Sequence, residues 1–311
     1  MTRRETLWFL VVLVLLGAGW GITQPLSKIA VSTGYRAPGM VFWQFAIGVV
    51  VLAAINRFNG RGLPWGRPQV MRYVLVAFIG TLLPNSAMYE AIRFLPSGLI
   101  SILLSVVPML AFPVALALGV DRFSAVRFAG LAFGFGGVML IVGPEGSLPD
   151  RAMLLFVPLA LVAPFFYALE GNVITRIGLA GLDAVQLLLG ASIVGTVLAL
   201  PLALVSGSFI SPMPPWDIAD LSLVLSSVIH GVVYASYFWL VGKAGPVFAV
   251  QCSYLVTGFG VFWAKLLLDE SYSIWIWAAM GLMFAGLFLV QPRRAQDRLA
   301  GTVGAGDTGP G

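Results

Sequence analysis

The sequence predicts an all-α polytopic membrane protein with ten transmembrane helices, arranged as two five-helix repeats of inverted topology. Three observations predict it. Hydrophobic residues make up 59% of the 311-residue chain and charged residues only 10%, with a mean hydropathy of +0.96. Soluble globular domains carry about 25% charged residues, so a soluble chain of this composition could not cover its surface with polar groups. The second observation is a series of ten apolar windows, each near the roughly 20 residues that cross about 30 Å of hydrocarbon. The third is an internal repeat.

The windows fall at roughly 6–31, 38–56, 71–92, 97–118, 124–142, 152–175, 183–206, 219–241, 246–268 and 273–291. They leave no room for a sizeable soluble domain. The start, Met1-Thr2-Arg3-Arg4 before an apolar run, has the look of a secretory leader. The run continues to about Val31, longer than a leader's apolar region, so it is read as span 1. The Gly-rich stretch 293–311 is expected to be a disordered cytoplasmic tail. Cys252 is the single cysteine, which excludes a disulfide framework.

Orientation follows from the placement of Lys and Arg. With the N-terminus cytoplasmic, thirteen of the 18 basic residues fall in inner segments. Arg36, Arg93 and Arg151 fall in outer ones, and Lys28 and Lys265 lie in or at the ends of spans. Both termini are therefore expected on the cytoplasmic side of an inner membrane. The net charge of +5 describes this asymmetry and gives no sign of nucleic-acid binding. For Lys28 and Lys265 the expectation is snorkelling to the headgroups, and for Glu90 and Arg93 an interfacial pair at i,i+3.

The repeat is visible without alignment tools. Leu118-Gly119-Val120-Asp121, running on to Gly137, returns as Leu267-Leu268-Asp269-Glu270, running on to Gly286. Asp121 falls on Glu270 and Gly137 on Gly286, an offset of 149 in both cases, and the same offset places Tyr89 on Phe238 and Ser105 on Tyr254. Five spans is an odd number, so the second copy must be upside down relative to the first. The units are 1–143 (spans 1–5) and 144–292 (spans 6–10). Inverted repeats are characteristic of secondary transporters, whose site lies near the midplane between the copies.

Several segments carry a family resemblance. Gly19-Trp20-Gly21 stands in span 1, and Tyr89-Glu90-Ala91-Ile92-Arg93-Phe94-Leu95-Pro96-Ser97-Gly98 crosses the turn between spans 3 and 4. Ser105-Val106-Val107-Pro108 follows, and then the Leu-Gly-x-acid turn ending at Asp121. In order and spacing they resemble the EamA domain of the drug/metabolite transporter (DMT) superfamily, over nearly the whole chain and twice. The resemblance implies a ten-helix, exporter-like fold with a central cavity, and it names no substrate. The sequence departs from the pattern at two places: Gln44-Phe45 stands where the family has a span-2 Arg, and Thr257 where it has a span-9 Pro.

Polar side chains inside a bilayer demand a partner or a water-filled cavity. His230, Tyr234 and Tyr237 recur at i, i+4 and i+7 on one face of span 8. The repeat maps that face onto Thr81, Asn85 and Met88 of span 3. Gln251, Tyr254 and Thr257 form a narrower stripe on span 9, whose counterpart in the first copy includes Ser101, Ser105 and Pro108 of span 4. These four helices are expected to wall one cavity, with Trp20, Gln24 and Phe166 from spans 1 and 6 added to its lining. The bland alternative is that these groups only hydrogen-bond helices together. Glu170, isolated in span 6, is the candidate for proton coupling, because a desolvated carboxylate binds a proton more readily. Pro25 and Pro108 are candidate kinks or gates. Gly130-x-x-x-Gly134 in span 5 reads as a helix-packing motif.

The function expected is a secondary transporter, an exporter of a small organic metabolite (amino acid-like or drug-like) working by alternating access. A facilitative uptake carrier and a lipid-type flippase are the alternatives. A membrane-embedded enzyme is a minor one, for one His, one Cys and few in-membrane carboxylates offer no convergent catalytic set. No catalytic residue, metal or cofactor is expected, and no Walker-type glycine loop is present. The partners expected are a small-molecule substrate and the lipid bilayer, with no nucleic acid, and the protein as monomer or homodimer.

Overall fold

The computed structural model describes residues 3–290, and the stretch expected to be a disordered tail, 293–311, lies outside them. Among the described residues the chain is all-helical. Eight helices are long and apolar enough to cross a membrane: α1 (Leu7–Ser32, beginning at Arg3), α2 (Ala37–Phe58), α3 (Arg67–Phe94), α4 (Ser97–Ala117), α5 (Ala125–Val142), α6 (Arg151–Ile177), α7 (Ala184–Val205) and α8 (Ile218–Ala244). Two shorter apolar helices follow, α9 (Cys252–Leu268) and α10 (Ile274–Leu289). The chain is a multi-pass membrane protein.

The windows read from sequence match the eight long helices to within a few residues. The ninth does not run as one helix. A single turn, Pro246–Ala249, is separated from α9 by a break at Val250–Gln251. Span 4 is broken as well, at Ser105–Val106. Here the cause is Pro108, which has no N–H to give the Leu104 carbonyl and whose ring crowds that carbonyl. Thr257 stands where the second half would have the equivalent proline, and α9 runs unbroken through it.

Span 3 is distorted too. Residues Val76–Leu82 form a π-helical segment in front of Pro84. Pro84 frees the carbonyl of Gly80, four residues back, and the wider turn absorbs the missing bond.

Tight helix contacts rest on glycine. A Cβ on Gly130 of α5 would meet the Gly286 carbonyl of α10 at 2.8 Å, and one on Gly286 would meet the Gly130 carbonyl at 2.7 Å. A Cβ on Gly21 of α1 would meet the Gly260 backbone N of α9 at 2.7 Å. The Trp263 indole of α9 donates to the Ala18 carbonyl of α1 (3.1 Å) beside that contact.

The principal contacts form a regular pattern. α1 packs on α8 and α9, and α6 packs on α3 and α4; α2 packs on α8, and α7 on α3. α2 meets α7, α4 meets α9 and α5 meets α10. One departure positions the site. α1 also packs against α3 and α4, whereas α6 makes no comparable contact with α8 or α9.

Candidate functional site

A cavity of about 780 Å³ occupies the middle of the bundle, walled by α1, α2, α3, α4, α6, α7, α8 and α9. Its lining runs from buried Ser27, Gln44 and Tyr89 to Gly171, Thr175, Gly178 and Leu179, which are exposed. Those exposed members all lie in the last two turns of α6 or the loop after it. The cavity is therefore open at the end of the bundle where that loop meets the α2–α3 loop. The two loops are tied together there: Arg61 pairs with Asp183, and the Gln186 amide donates to the Gly62 carbonyl (2.7 Å).

One wall is an aromatic corner. The Trp20 ring stands 5.4 Å from that of Tyr237 and 5.5 Å from that of Tyr234, centroid to centroid. The Trp20 indole N–H donates to His230 Nδ1 at 3.3 Å. Accepting at Nδ1 fixes the neutral tautomer, with its proton on Nε2. The three α8 residues lie on one face as their spacing predicts, and the small Gly19 lets α1 sit against Val233 beside them.

The opposite wall is a chain of neutral hydrogen bonds. Gln44 Oε1 accepts from Asn85 Nδ2 (2.7 Å) and from the Tyr89 hydroxyl (2.8 Å). Asn85 Oδ1 in turn accepts from the Tyr167 hydroxyl. Asn85 and Gln44 are 2% and 9% exposed, so these bonds answer the demand that burial makes of amides. Gln44 thus organises three helices without bringing a charge.

Glu170 projects from α6 into the same space. Its carboxylate lies against Gly80 in the π segment of α3, where a Cβ would come within 2.6 Å of its Cδ and Oε1. Tyr167 and Tyr234 sit within range of its charge. Among the described residues, Glu170 is the sole Asp, Glu, Lys or Arg in the cavity lining. No His/Cys/Asp/Glu cluster fit to hold a metal occurs among the described residues.

The far end of the cavity is sealed by two charges acting on helix ends. The Lys28 ammonium donates to the carbonyls of Ile92, Arg93 and Leu95, at 2.7, 3.0 and 3.1 Å. These lie at the C-terminus of α3, where orphan carbonyls and the helix dipole both favour a cation. The Glu270 carboxylate takes the other side of the same turn. Its Oε1 accepts from the Ser97 N–H (2.7 Å) and hydroxyl (2.8 Å), and its Oε2 from the Gly98 N–H (3.0 Å). The Tyr272 hydroxyl donates to Oε2 at 2.7 Å; burial first, and then Glu270, hold that phenol protonated well beyond its ordinary range. Lys28 therefore does not snorkel, contrary to expectation, because three carbonyls within reach outbid the headgroups. Glu90 pairs with Arg93 (3.1 Å), as the spacing predicts.

Of the residues singled out from sequence, the structure brings Trp20, Gln24, Asn85, Ser105, Glu170, His230, Tyr234, Tyr237 and Thr257 to the cavity lining. Phe166, Gln251 and Tyr254 lie outside it. Phe166 is one residue out of phase with the stripe Tyr167, Glu170, Gly171 and Ile174, and its ring meets Phe165 instead. On α9 the lining stripe is Cys252, Ser253, Val256 and Thr257, which turns Tyr254 toward Phe284 of α10 (5.7 Å). Gln251 sits in the break before α9. Pro25 lies buried inside an unbroken α1, and Pro108 starts the second half of α4. Tyr167, Gly80 and Glu270 were missed as site residues. The Pro84 that creates the π segment was the available signal for Gly80, and the i,i+3 relation to Glu170 the one for Tyr167.

Comparison with known proteins agrees with this architecture. The EamA-like transporter family matches the chain over residues 7–143 and again over 154–291. A WAT1-related protein of Arabidopsis thaliana is 26% identical over 243 residues, which span 70% of this chain and 66% of that protein's length. A crystal structure superposes with a TM-score of 0.61 over 97% of this chain and 99% of the other, at 14% identity, a likeness of fold. Matched over both halves, the chain belongs to the EamA-like transporter family of the drug/metabolite transporter superfamily.

Proposed function

We propose that the chain is a secondary transporter that exports a small organic solute across the inner membrane by alternating access through the central cavity. The observation that carries this reading is the cavity itself: open at one end and closed at the other by Lys28 and Glu270. Such a one-sided cavity binds and releases; it holds no convergent catalytic set, which favours a carrier over an enzyme.

The spans number ten in this reading, in the units 1–143 and 144–292, the second inverted, with both termini cytoplasmic. Two features support it. The principal contacts are unchanged when each helix of one half is exchanged for its counterpart five helices on. The contacts that break the pattern, α1 with α3 and α4 but not α6 with α8 or α9, are those that one closed and one open end require. The open end carries Arg57, Arg61, Arg67, Arg72 and Arg176, and the positive-inside rule makes it cytoplasmic. In the opposite state α6 closes on α8 and α9 while α1 withdraws from α3 and α4. Asp121, the counterpart of Glu270, then caps the turn at Pro246–Ala249.

Glu170 carries the proton in this reading. Tyr167 and Tyr234 are the titratable groups that face it, with His230, Tyr89, Tyr237 and Cys252 elsewhere in the lining. A flippase of the same fold is the second reading. Against it stands the position of the exposed lining, which gathers at the loop end of α6 and not along the lateral wall.

The test is efflux from proteoliposomes of purified protein loaded with a panel of solutes, with and without a pH gradient. The expected result is gradient-stimulated release of one class of solute, with the stimulation lost in Glu170→Gln. Release by that variant with full gradient dependence removes Glu170 from the coupling, and release of none of the panel speaks against the transport reading.

A further inference from the structure

We infer that the cavity selects organic monocations, each an ammonium centre carried on an apolar or aromatic body. The inference rests on the reading of this cavity as the substrate site. Three observations carry it together. The first is charge: among the described residues Glu170 is the sole Asp, Glu, Lys or Arg in the lining, so no Lys or Arg there balances it when it gives up its proton. A bound anion would face uncompensated repulsion, and a bound cation supplies the counter-charge that a desolvated carboxylate lacks.

The second is the aromatic corner. Trp20, Tyr234 and Tyr237 stand at centroid separations of 5.4 and 5.5 Å around one side of the cavity. The two tyrosine rings are tilted by 57° and 52° to that of Trp20, and aromatic faces that line a cavity attract alkylated ammonium groups through the ring quadrupole. Beside them Gln24, 7% exposed, leaves its Oε1 buried with no hydrogen-bond partner among the described residues. That orphan is an acceptor, suited to an N–H donor on the solute.

The third observation weighs against the zwitterion. A free amino acid would need donors for its carboxylate, and broken helices often supply them from their N-termini. At the break in α4 the N–H groups of Ser105, Val106, Met109 and Leu110 all bond to carbonyls of their own turns, and Pro108 has none. At the break before α9, the N–H groups of Gln251, Ser253 and Tyr254 are likewise taken. Among the described residues no Lys or Arg joins these breaks in the lining, so a carboxylate would meet no counter-charge there, whereas an ammonium meets Glu170.

The experiment is equilibrium binding to the full-length protein in lipid nanodiscs of four probes that share a benzyl body. These are benzyltrimethylammonium (cation), N-benzylacetamide (neutral), 3-phenylpropanoate (anion) and phenylalanine (zwitterion). The expected order is the cation tightest, by about tenfold or more over each of the others, which is what a 1.4 kcal/mol preference yields. Glu170→Gln and Trp20→Ala should each erase most of that margin. The wild-type comparison needs no variant, so it stands even if either substitution unfolds the protein. Tighter binding of the anion or zwitterion, equal binding of all four, or no binding of any overturns the inference. Proteoliposome efflux of the same probes separates the two readings. Release of a neutral or anionic solute alone keeps the transporter and removes the cation preference; cation binding without release of anything does the reverse.

Discussion

The carboxylate of Glu170 on α6 rests against the bare backbone of Gly80 on α3, with 2.6 Å between the place a Cβ would take and the carboxyl carbon. Two sequence features far apart in the chain make this meeting. Pro84 forces the π segment that presents Gly80, and the missing side chain leaves room for an acidic group within the bundle.

Gly80→Ala tests the meeting. The new methyl meets the end of a flexible side chain rather than backbone, so the fold should survive with a change in stability of about 1 kcal/mol or less. The carboxylate, however, must turn away. Gradient-driven efflux should fall several-fold while thermal unfolding in detergent stays close to wild type. Unchanged coupling in this variant would detach Glu170's role from its position.

Lys28→Met removes the cation from three carbonyls at the end of α3. Hydrogen bonds from charged donors contribute about 1.5–3 kcal/mol each, but the longer ones recover water once the end opens. A net loss of about 2 kcal/mol is expected, read as a lower midpoint of thermal inactivation. Arg at this position should restore much of it.

Glu270→Gln weakens the cap on Ser97 and Gly98 and releases the Tyr272 hydroxyl from a charged acceptor. The closed end should then open more often. A membrane-impermeant thiol reagent applied from that side should modify Ser27→Cys several-fold faster in the Glu270→Gln background. Equal rates would show that Glu270 does not hold the seal.

Gly130→Val should be worse tolerated than any cavity substitution. The added atoms meet the Gly286 carbonyl, backbone that cannot step aside. Overpacking of this kind costs about 1–3 kcal/mol, and the yield of folded, monodisperse protein should drop accordingly.

How much of this was legible in the sequence depended on the physics behind each feature. Span positions were read well because about 20 apolar residues is a requirement of the bilayer itself. The α8 face was read well because His230, Tyr234 and Tyr237 fix their own helical phase. Phase failed where a break resets it. The interruption at Val250–Gln251 turned Tyr254 away from the lining and put Cys252 and Ser253 there instead. Phe166 was chosen by its neighbourhood, and a shift of one residue, about 100° around the helix, gives the place to Tyr167. The network Gln44–Asn85–Tyr167 joins α2, α3 and α6, and no local spacing encodes a bond across three helices. Lys28 was misread for a related reason: three free carbonyls at the end of another helix are invisible from the lysine's own span.

The central claim is that one cavity is reached from both sides of the membrane in turn. Thr81 lies in the lining, in the π segment of α3. With Cys252→Ser as background, Thr81→Cys in sealed, oriented proteoliposomes can be challenged with an impermeant maleimide from either face. The account predicts labelling from both faces, faster from the one that carries the 59–66 and 178–183 loops, with protection by a transported solute from each. Labelling from that face alone, under conditions in which the protein is moving solute, would contradict it.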